Sequence, residues 1–582
     1  MPPKIRLICN DELSAICSLQ RGKTSLLCSV FLLWLLLGAA FLWTFSSATW
    51  AETGTAEKIV GNINHQLYES WQENEVAPSP PCSDGKWCRR VYLDILGRIP
   101  SIEELTKFVD DRSSDKKIRL VDLLLSDSYA EEYARNWTTI WTNILIGRSG
   151  GTERRTRTNR DGMRQYLHES LLRNKPYDQL VYELISAQGT SKPDVDNFNG
   201  AVNFLAMKLE EEAVQATAKT AQIFMGIRVQ CTQCHPHPFN SWKQNQFWEL
   251  NAFFRQTVAL RRFEGGRDIT YIDLQNQDYQ GSTGDPQEAE IFYDKRNGER
   301  IATYPIFTDS DGKRTELDRN GFIDEVNRRE KLAKLVAKSG YLPVALVNRM
   351  WAHFLGLGFT KPFDDMGPHN HPSHPELLQF LGGTFRDSGH NLKELIRWIV
   401  LSDAYSLSSR LNSGNTKDDP LLGNPPMFSR YYPRQMLAEE LYESLLKATK
   451  ADKTKANAAQ QDADKERWLR QFSTAFGTDE NDEANTFNGT IPQSLMLFNG
   501  DLVKRATSTA AGSFLDQVSN DGELSNTEKI NRLFEAALAR KASREERKWA
   551  TTIILRNRES VAEALQDVWW ALLNTNEFIL KH

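Results

Sequence analysis

Cysteine is scarce. The 582-residue chain has seven, and Cys9, Cys17 and Cys28 lie in or before one apolar segment near the N-terminus. Only Cys82, Cys88, Cys231 and Cys234 remain beyond it, which excludes a disulfide-dense scaffold. No second Cys-x-x-Cys pair exists to complete a four-cysteine zinc site. Charge of one sign is not in excess either. Lys and Arg number 71 against 76 Asp and Glu, a net charge of −5 with a pI near 6.1, so the footprint of a nucleic-acid binder is absent.

What is present begins with an uncharged apolar run, Ser25 to Phe45. It is long enough to span a bilayer as a helix and longer than an ordinary signal-peptide core. Arg21 and Lys23 before it favour a cytoplasmic N-terminus. Small residues follow, with Ala51 as a cleavage point in SSATWAET. The run reads as a cleaved signal or as a retained membrane anchor, and both readings export everything after about residue 52 to the periplasm or cell surface. In an oxidising compartment Cys82 and Cys88, which flank the short loop-like SDGKW, could close a small disulfide; the alternative is two free thiols.

The exported body has room for two or three domains. With 40% hydrophobic residues it can build real cores, and the 15 tryptophans fall mostly within apolar helical patterns, where core packing is the default. Helical periodicity dominates. Ser101 and Glu104 form a capping box after Pro100, and a further helix is expected from about Glu210 to Val229, leading into CTQCH. From about Thr257 to Phe322 the period becomes two, with a hairpin turn at Arg296-Asn-Gly-Glu299. Helical periodicity then returns to the end. The expectation is a mainly α, multi-helical, two-domain protein with a small β-rich insertion. ILGRIPSIEEL echoes ALARKASREER, with boxes at Ser101/Glu104 and Ser543/Glu546, although capping boxes recur in any helical protein.

The stretch Cys231-Thr-Gln-Cys-His235 carries the most specific chemistry. Attachment of a c-type haem needs two thiols and a histidine directly after the second, and Cys-x-x-Cys-His supplies both. Cys231 and Cys234 would hold haem c, with His235 as proximal iron ligand. The alternatives are a redox disulfide or stapled turn and a metal site completed by His237 or a distant histidine. His237 lies too close to His235 to serve as the second axial ligand. The richest source of that ligand is Pro362 to Leu378, with Met366, His369, His371 and His374. Met366 and His374 are the distal candidates, each with a bland reading as gap filler or helix-start neighbour. A ligand from this loop would clamp the two domains through iron. Asp364 and Asp365 could bind a cation, or act with His374 in a hydrolase, but adjacent loop carboxylates more often point apart into solvent. Phe247, Trp248, Phe253 and Phe254 are spaced as one helix face and read as core.

Several strings together resemble one architecture: RRVYLDILGRIPSIEEL, CTQCHPHPFNSW with FWELNAFF, ALVNRMWAHFLGLGF, PSHPELLQFL, LSDAYSLSSR and LQDVWWALLNTNEFILKH. They resemble the paired domains of unknown function 1549 and 1553 of planctomycete cytochrome-associated proteins. With residues 1–51 read as leader and signal or anchor and 257–322 as the β-rich insertion, the resemblance implies 52–256 as the first helical domain with CxxCH and 323–582 as the second helical domain. It implies an exported protein associated with carbohydrate or sulfatase systems, and it supplies no catalytic residues. The chain departs from the family's motif in carrying His-Pro-His-Pro-Phe-Asn where an acid is common at two positions. The resulting expectation is an envelope protein binding one c-type haem for electron transfer with a redox partner. The alternative is a disulfide- or metal-stapled surface module linked to polysaccharide-processing enzymes.

Overall fold

In the computed structural model the described residues are 56–148, 150–151, 156–263, 265, 269–454, 458–476, 500–556 and 560–582. The apolar run from Ser25 to Phe45 and Ala51 lie outside them. Among the described residues no helix is long and apolar enough to cross a membrane. The chain divides into a unit 1–62, of which 56–62 are described and helical, and a compact unit 63–582. The latter holds the regions expected as separate domains.

The fold is mainly α, as the periodicity predicts. Helix α1 (Asp84–Leu96) starts at Ser83, whose hydroxyl accepts the Lys86 amide, and stops at Gly97 with φ 72°. Left-handed backbone at a helix end is cheap only for glycine. SDGKW is therefore a cap and first helical turn rather than a loop. Cys88 lies on the buried face of α1, Cys82 stands before the cap, and both are free thiols.

Helix α2 (Ile102–Asp110) opens with the expected box. The Ser101 amide donates to the Glu104 carboxylate at 2.7 Å and the Glu104 amide to the Ser101 hydroxyl at 3.2 Å. Arg98 lies over the Tyr92 ring and donates to Glu104 at 2.8 and 2.9 Å. It also reaches Glu132 of α3 (Ala130–Ile146). The sequence echo repeats all of this. Ala539 is left-handed where Gly97 is, and Arg540 lies over Phe534. Arg540 donates to Glu546 twice at 2.8 Å and to Glu577 at 2.8 and 2.6 Å. Ser543 and Glu546 close the second box. A recurring capping box does not explain an arginine hub with two carboxylates and an aromatic at matched positions; the helix–hub–helix unit itself recurs. The copies meet where a Cβ on Gly85 would fall 2.0 Å from the Ala539 carbonyl oxygen.

Helices α4 (Arg160–Leu172) and α5 (Gln244–Asn251) precede the β-rich stretch. Strands β1 (Thr257–Phe263) and β2 (Ile269–Asn276) pair antiparallel, with Gly189–Thr190 on the other side of β2. Strands β3 (Ile291–Asp294) and β4 (Arg300–Thr303) form the hairpin predicted at Arg296–Glu299. Gly298 takes φ 81° there, and the Lys295 amide donates to the Glu299 carbonyl at 2.9 Å. The region is thus three small sheets, the third pairing Ile306–Thr308 with Arg314–Glu316.

Helices α6 (Tyr341–Leu355), α7 (Pro375–Asp387) and α8 (Ala438–Thr449) belong to the second half. The two ends of the compact unit share one interior. Leu93 and Ile99 pack in the same apolar cluster as Leu441, Trp569 and Phe578. Beside it Lys581, 1% exposed, donates to Asp94 at 2.8 Å and Glu440 at 2.6 Å. Arg434 and the Tyr405 hydroxyl also donate to Asp94. Buried charges persist only when paired and hydrogen-bonded, so this network ties α1 to the C-terminus.

Candidate functional site

The helix expected to run into CTQCH stops short of it. It spans Glu210–Thr220, widens into a π-turn at Ala221–Met225 and ends at Gly226 with φ 68°. A Cβ on Gly226 would lie 2.4 Å from Met366 Cε. Glycine is needed there both for the left-handed stop and for the approach of the Pro362–Leu378 loop. The Met366 amide donates to the Gly226 carbonyl at 2.8 Å. Asp364 takes Arg228 Nε at 2.9 Å and Nη2 at 2.6 Å, and Gln222 at 2.7 Å. Asp364 is buried and ion-paired, which corrects the expectation of a solvated turn. The loop does reach the motif's approach segment, and what holds it there is this carboxylate–guanidinium pair.

Cys231 to Cys234 occupy a single 3₁₀ turn, Gln230–Gln233, and its cap. Both thiols are exposed and unpaired. Burial pushes the Cys231 thiol up, and Asp365 adds to the effect. The turn is held from below by α5. Trp248 Nε1 and Gln244 Nε2 both donate to the Gln233 carbonyl, at 3.0 and 3.1 Å, and Gln244 also reaches the Asp294 carbonyl at 3.0 Å. Trp248 stacks on Tyr293 with centroids 6.1 Å apart. Phe247, Trp248, Phe253 and Phe254 are buried, as their spacing predicts.

Cys234 and His235 line a cleft of about 500 Å³ with Tyr293, Lys243, Lys295 and Arg296. His235 Nδ1 sits 2.7 Å from the Pro236 carbonyl oxygen. A carbonyl only accepts, so Nδ1 carries the proton and Nε2 keeps its lone pair. His237 is the reverse. Its Nδ1 accepts the Phe239 and Asn240 amides at 3.2 and 3.0 Å, so its proton sits on Nε2 and its lone pair is already used. Burial depresses the His237 pKa, against the pull of Asp365. Its ring lies 5.5 Å from that of His369, whose Nε2 meets Asp365 Oδ2 at 3.2 Å. Among the described residues no three His, Cys, Asp or Glu side chains converge as a metal-binding group.

The distal candidates lie elsewhere. Met366 lines a second cleft with Trp242 and Tyr341, and His371 is exposed. His374 is buried between Phe359 and Phe428, with Nδ1 3.0 Å from the Ser373 hydroxyl. Neither Met366 nor His374 lines the His235 cleft. Asp365 pairs with His369 rather than with His374, so the carboxylate–His374 pair of the hydrolase reading is not assembled. Sequence reasoning missed Gln244, Tyr293 and the cations at the hairpin tip. The Asn-Gly turn was readable, but no local signal says that its tip lies beside a motif far earlier in the chain.

Burial lowers the His374 pKa from 6.5 to about 4, with Asp418 opposing. The unfolded chain then binds the proton first as pH falls. Stability from this group is complete above pH 6.5 and declines toward pH 4, by about 3 kcal/mol. His374→Phe is expected to flatten that part of the acid limb in urea melts at pH 7, 5.5 and 4.5. An unchanged slope would show that His374 titrates normally.

Residues 62–259 match the family described as protein of unknown function DUF1549 (PSCyt2), and residues 328–554 match that described as protein of unknown function DUF1553 (PSD1). The chain thus carries the DUF1549 and DUF1553 domains paired in one polypeptide. No curated protein and no solved structure gives a match. The DUF1549 region contains CTQCH, the DUF1553 region contains the Pro362–Leu378 loop, and the β-rich stretch lies mainly between the two.

Proposed function

We propose that this DUF1549–DUF1553 protein is exported and carries one c-type haem on CTQCH, acting in one-electron transfer with a redox partner at the cell envelope. The observation that supports it most is the state of His235: Nδ1–H engaged by a backbone carbonyl and the Nε2 lone pair left for a metal, in a cleft shared with Cys234. Metal-bound histidines are typically oriented in this way. The donor set fits the group. Two exposed thiols in one turn can each add S–H across a vinyl C=C, the hydrogen passing to the neighbouring carbon, with no oxidant required. Lys243, Lys295 and Arg296 supply positive charge for carboxylates at the cleft, and Tyr293 gives it an aromatic wall.

The haem would supply the one-electron couple. The chain's own residues orient and shield. Pro236 fixes the imidazole, Trp248 and Gln244 hold the turn through the Gln233 carbonyl, and the hairpin closes one side. Export, through the run from Ser25 to Phe45, is part of the proposal because exposed thiols outside the cytoplasm oxidise unless capped.

The test is co-expression of the full chain with a cytochrome c maturation system, read by intact mass and by a pyridine haemochrome spectrum. One covalent haem is expected, lost in Cys231→Ala with Cys234→Ala, and with a changed spin state in His235→Ala. Colourless full-length protein from a competent host overturns the reading. If that protein is lighter by two hydrogens, a stapled surface module takes its place.

A further inference from the structure

A further cleft, of about 780 Å³, opens where α3, α4 and α8 meet, away from CTQCH. Residues four apart put Arg135 with Thr139 on one face of α3, Arg160 with Arg164 on α4, and Glu439 with Glu443 on α8. With Arg148 and Arg470, five guanidiniums line it against three carboxylates among the described residues, a local positive excess in a chain whose net charge is −5.

The carboxylates do not neutralise the α4 pair. Glu439 is occupied by Arg148, which donates to it at 2.9 and 3.1 Å. Glu443 stands 3.9 Å from Arg135, and burial pushes its carboxyl up. Among the described residues Arg160 donates only to neutral acceptors: the Gly147 and Gly150 carbonyls at 2.8 and 3.1 Å, and Asn143 Oδ1. Among the described residues Arg164 reaches only the Thr139 hydroxyl, at 3.4 Å. Burial pulls Arg160 down to about 10, and repulsion from Arg164 and Arg148 adds to this against Glu439 and Asp161. Two like charges one helical turn apart, partly desolvated, repel each other unless an anion lies between them. The guanidinium fork matches tetrahedral oxyanions, which it binds through paired N–H donors.

We propose that this cleft binds the phosphate or sulfate group of an acidic ligand, with Arg160 and Arg164 as the recognition pair and Arg135 beside them. Arg160 also supports the backbone at Gly147 and Gly150, so Arg164 is the residue to vary. The experiment titrates the full chain calorimetrically, at an ionic strength held constant with chloride, with inorganic phosphate, inorganic sulfate, glucose 6-phosphate and glucose 6-sulfate in separate arms. Saturable binding is expected in at least one arm. It should weaken about tenfold or more in Arg164→Gln and less in Arg164→Lys. The arm that binds tighter identifies the ester. No saturation in any arm, or unchanged binding in an Arg164→Gln protein that melts like the parent, overturns the proposal.

Discussion

Asp94→Asn is expected to cost about 3–5 kcal/mol of stability, the range for breaking a buried ion pair by removing one partner. Asp94 is fully buried and accepts from Lys581, Arg434 and the Tyr405 hydroxyl. Burial alone would raise its pKa, but Arg434 and Lys581 outweigh that and hold the carboxyl below its ordinary value. The stabilisation is therefore present at neutral pH and is lost as acid takes the pH below the ordinary carboxylate range. Asparagine keeps the shape and removes the charge, leaving Arg434 without the carboxylate it faces and Lys581 with Glu440 alone. Lys581→Met should also destabilise, because Glu440 loses the ammonium it accepts from. The double variant should cost less than the sum of the two, since contacting residues couple. Chemical denaturation at pH 7 decides. A loss under about 1 kcal/mol for Asp94→Asn, or strict additivity, would mean that the network does not act as a unit.

Trp248→Ala is expected to cost about 3–5 kcal/mol through the cavity it leaves, and to affect the site as well. The indole N–H holds the Gln233 carbonyl inside CTQC, and the ring stacks on Tyr293 of the hairpin. Without it the turn keeps only Gln244 from α5 on that carbonyl. Trp248→Phe keeps most of the packing and loses the donor, about 1 kcal/mol. Thermal melting should rank the proteins parent, Phe, Ala. Covalent haem per full-length chain should fall in the Ala protein beyond what its folded fraction accounts for. If the Ala protein melts with the parent and takes up haem fully, Trp248 neither packs nor positions as described.

Much of this was legible in the sequence because it rests on short-range physics. The Ser101/Glu104 and Ser543/Glu546 boxes need only a hydroxyl and a carboxylate three residues apart at a helix start. The hairpin at Arg296–Glu299 needs only Asn-Gly between alternating strands. The approach to CTQCH was less legible. The pattern predicts helix to Val229, but the chain leaves the helix at Gly226 because a loop from beyond residue 360 packs on it. Helical periodicity does not register such a demand.

By itself, then, the sequence determined the helical class, the β-rich interval, the helix caps and the spacing of two thiols and a histidine, all set by neighbours within about a turn or two of chain. Only the tertiary structure decided the rest. It put Asp364 on Arg228 and sent His374 into an aromatic pocket. It set Tyr293 and Lys295 beside His235, and gathered arginines from separate helices around one cleft. Each of these is a pairing of residues far apart in the chain. Burial and charge select such partners once the elements pack, and no local pattern encodes which partner will be found.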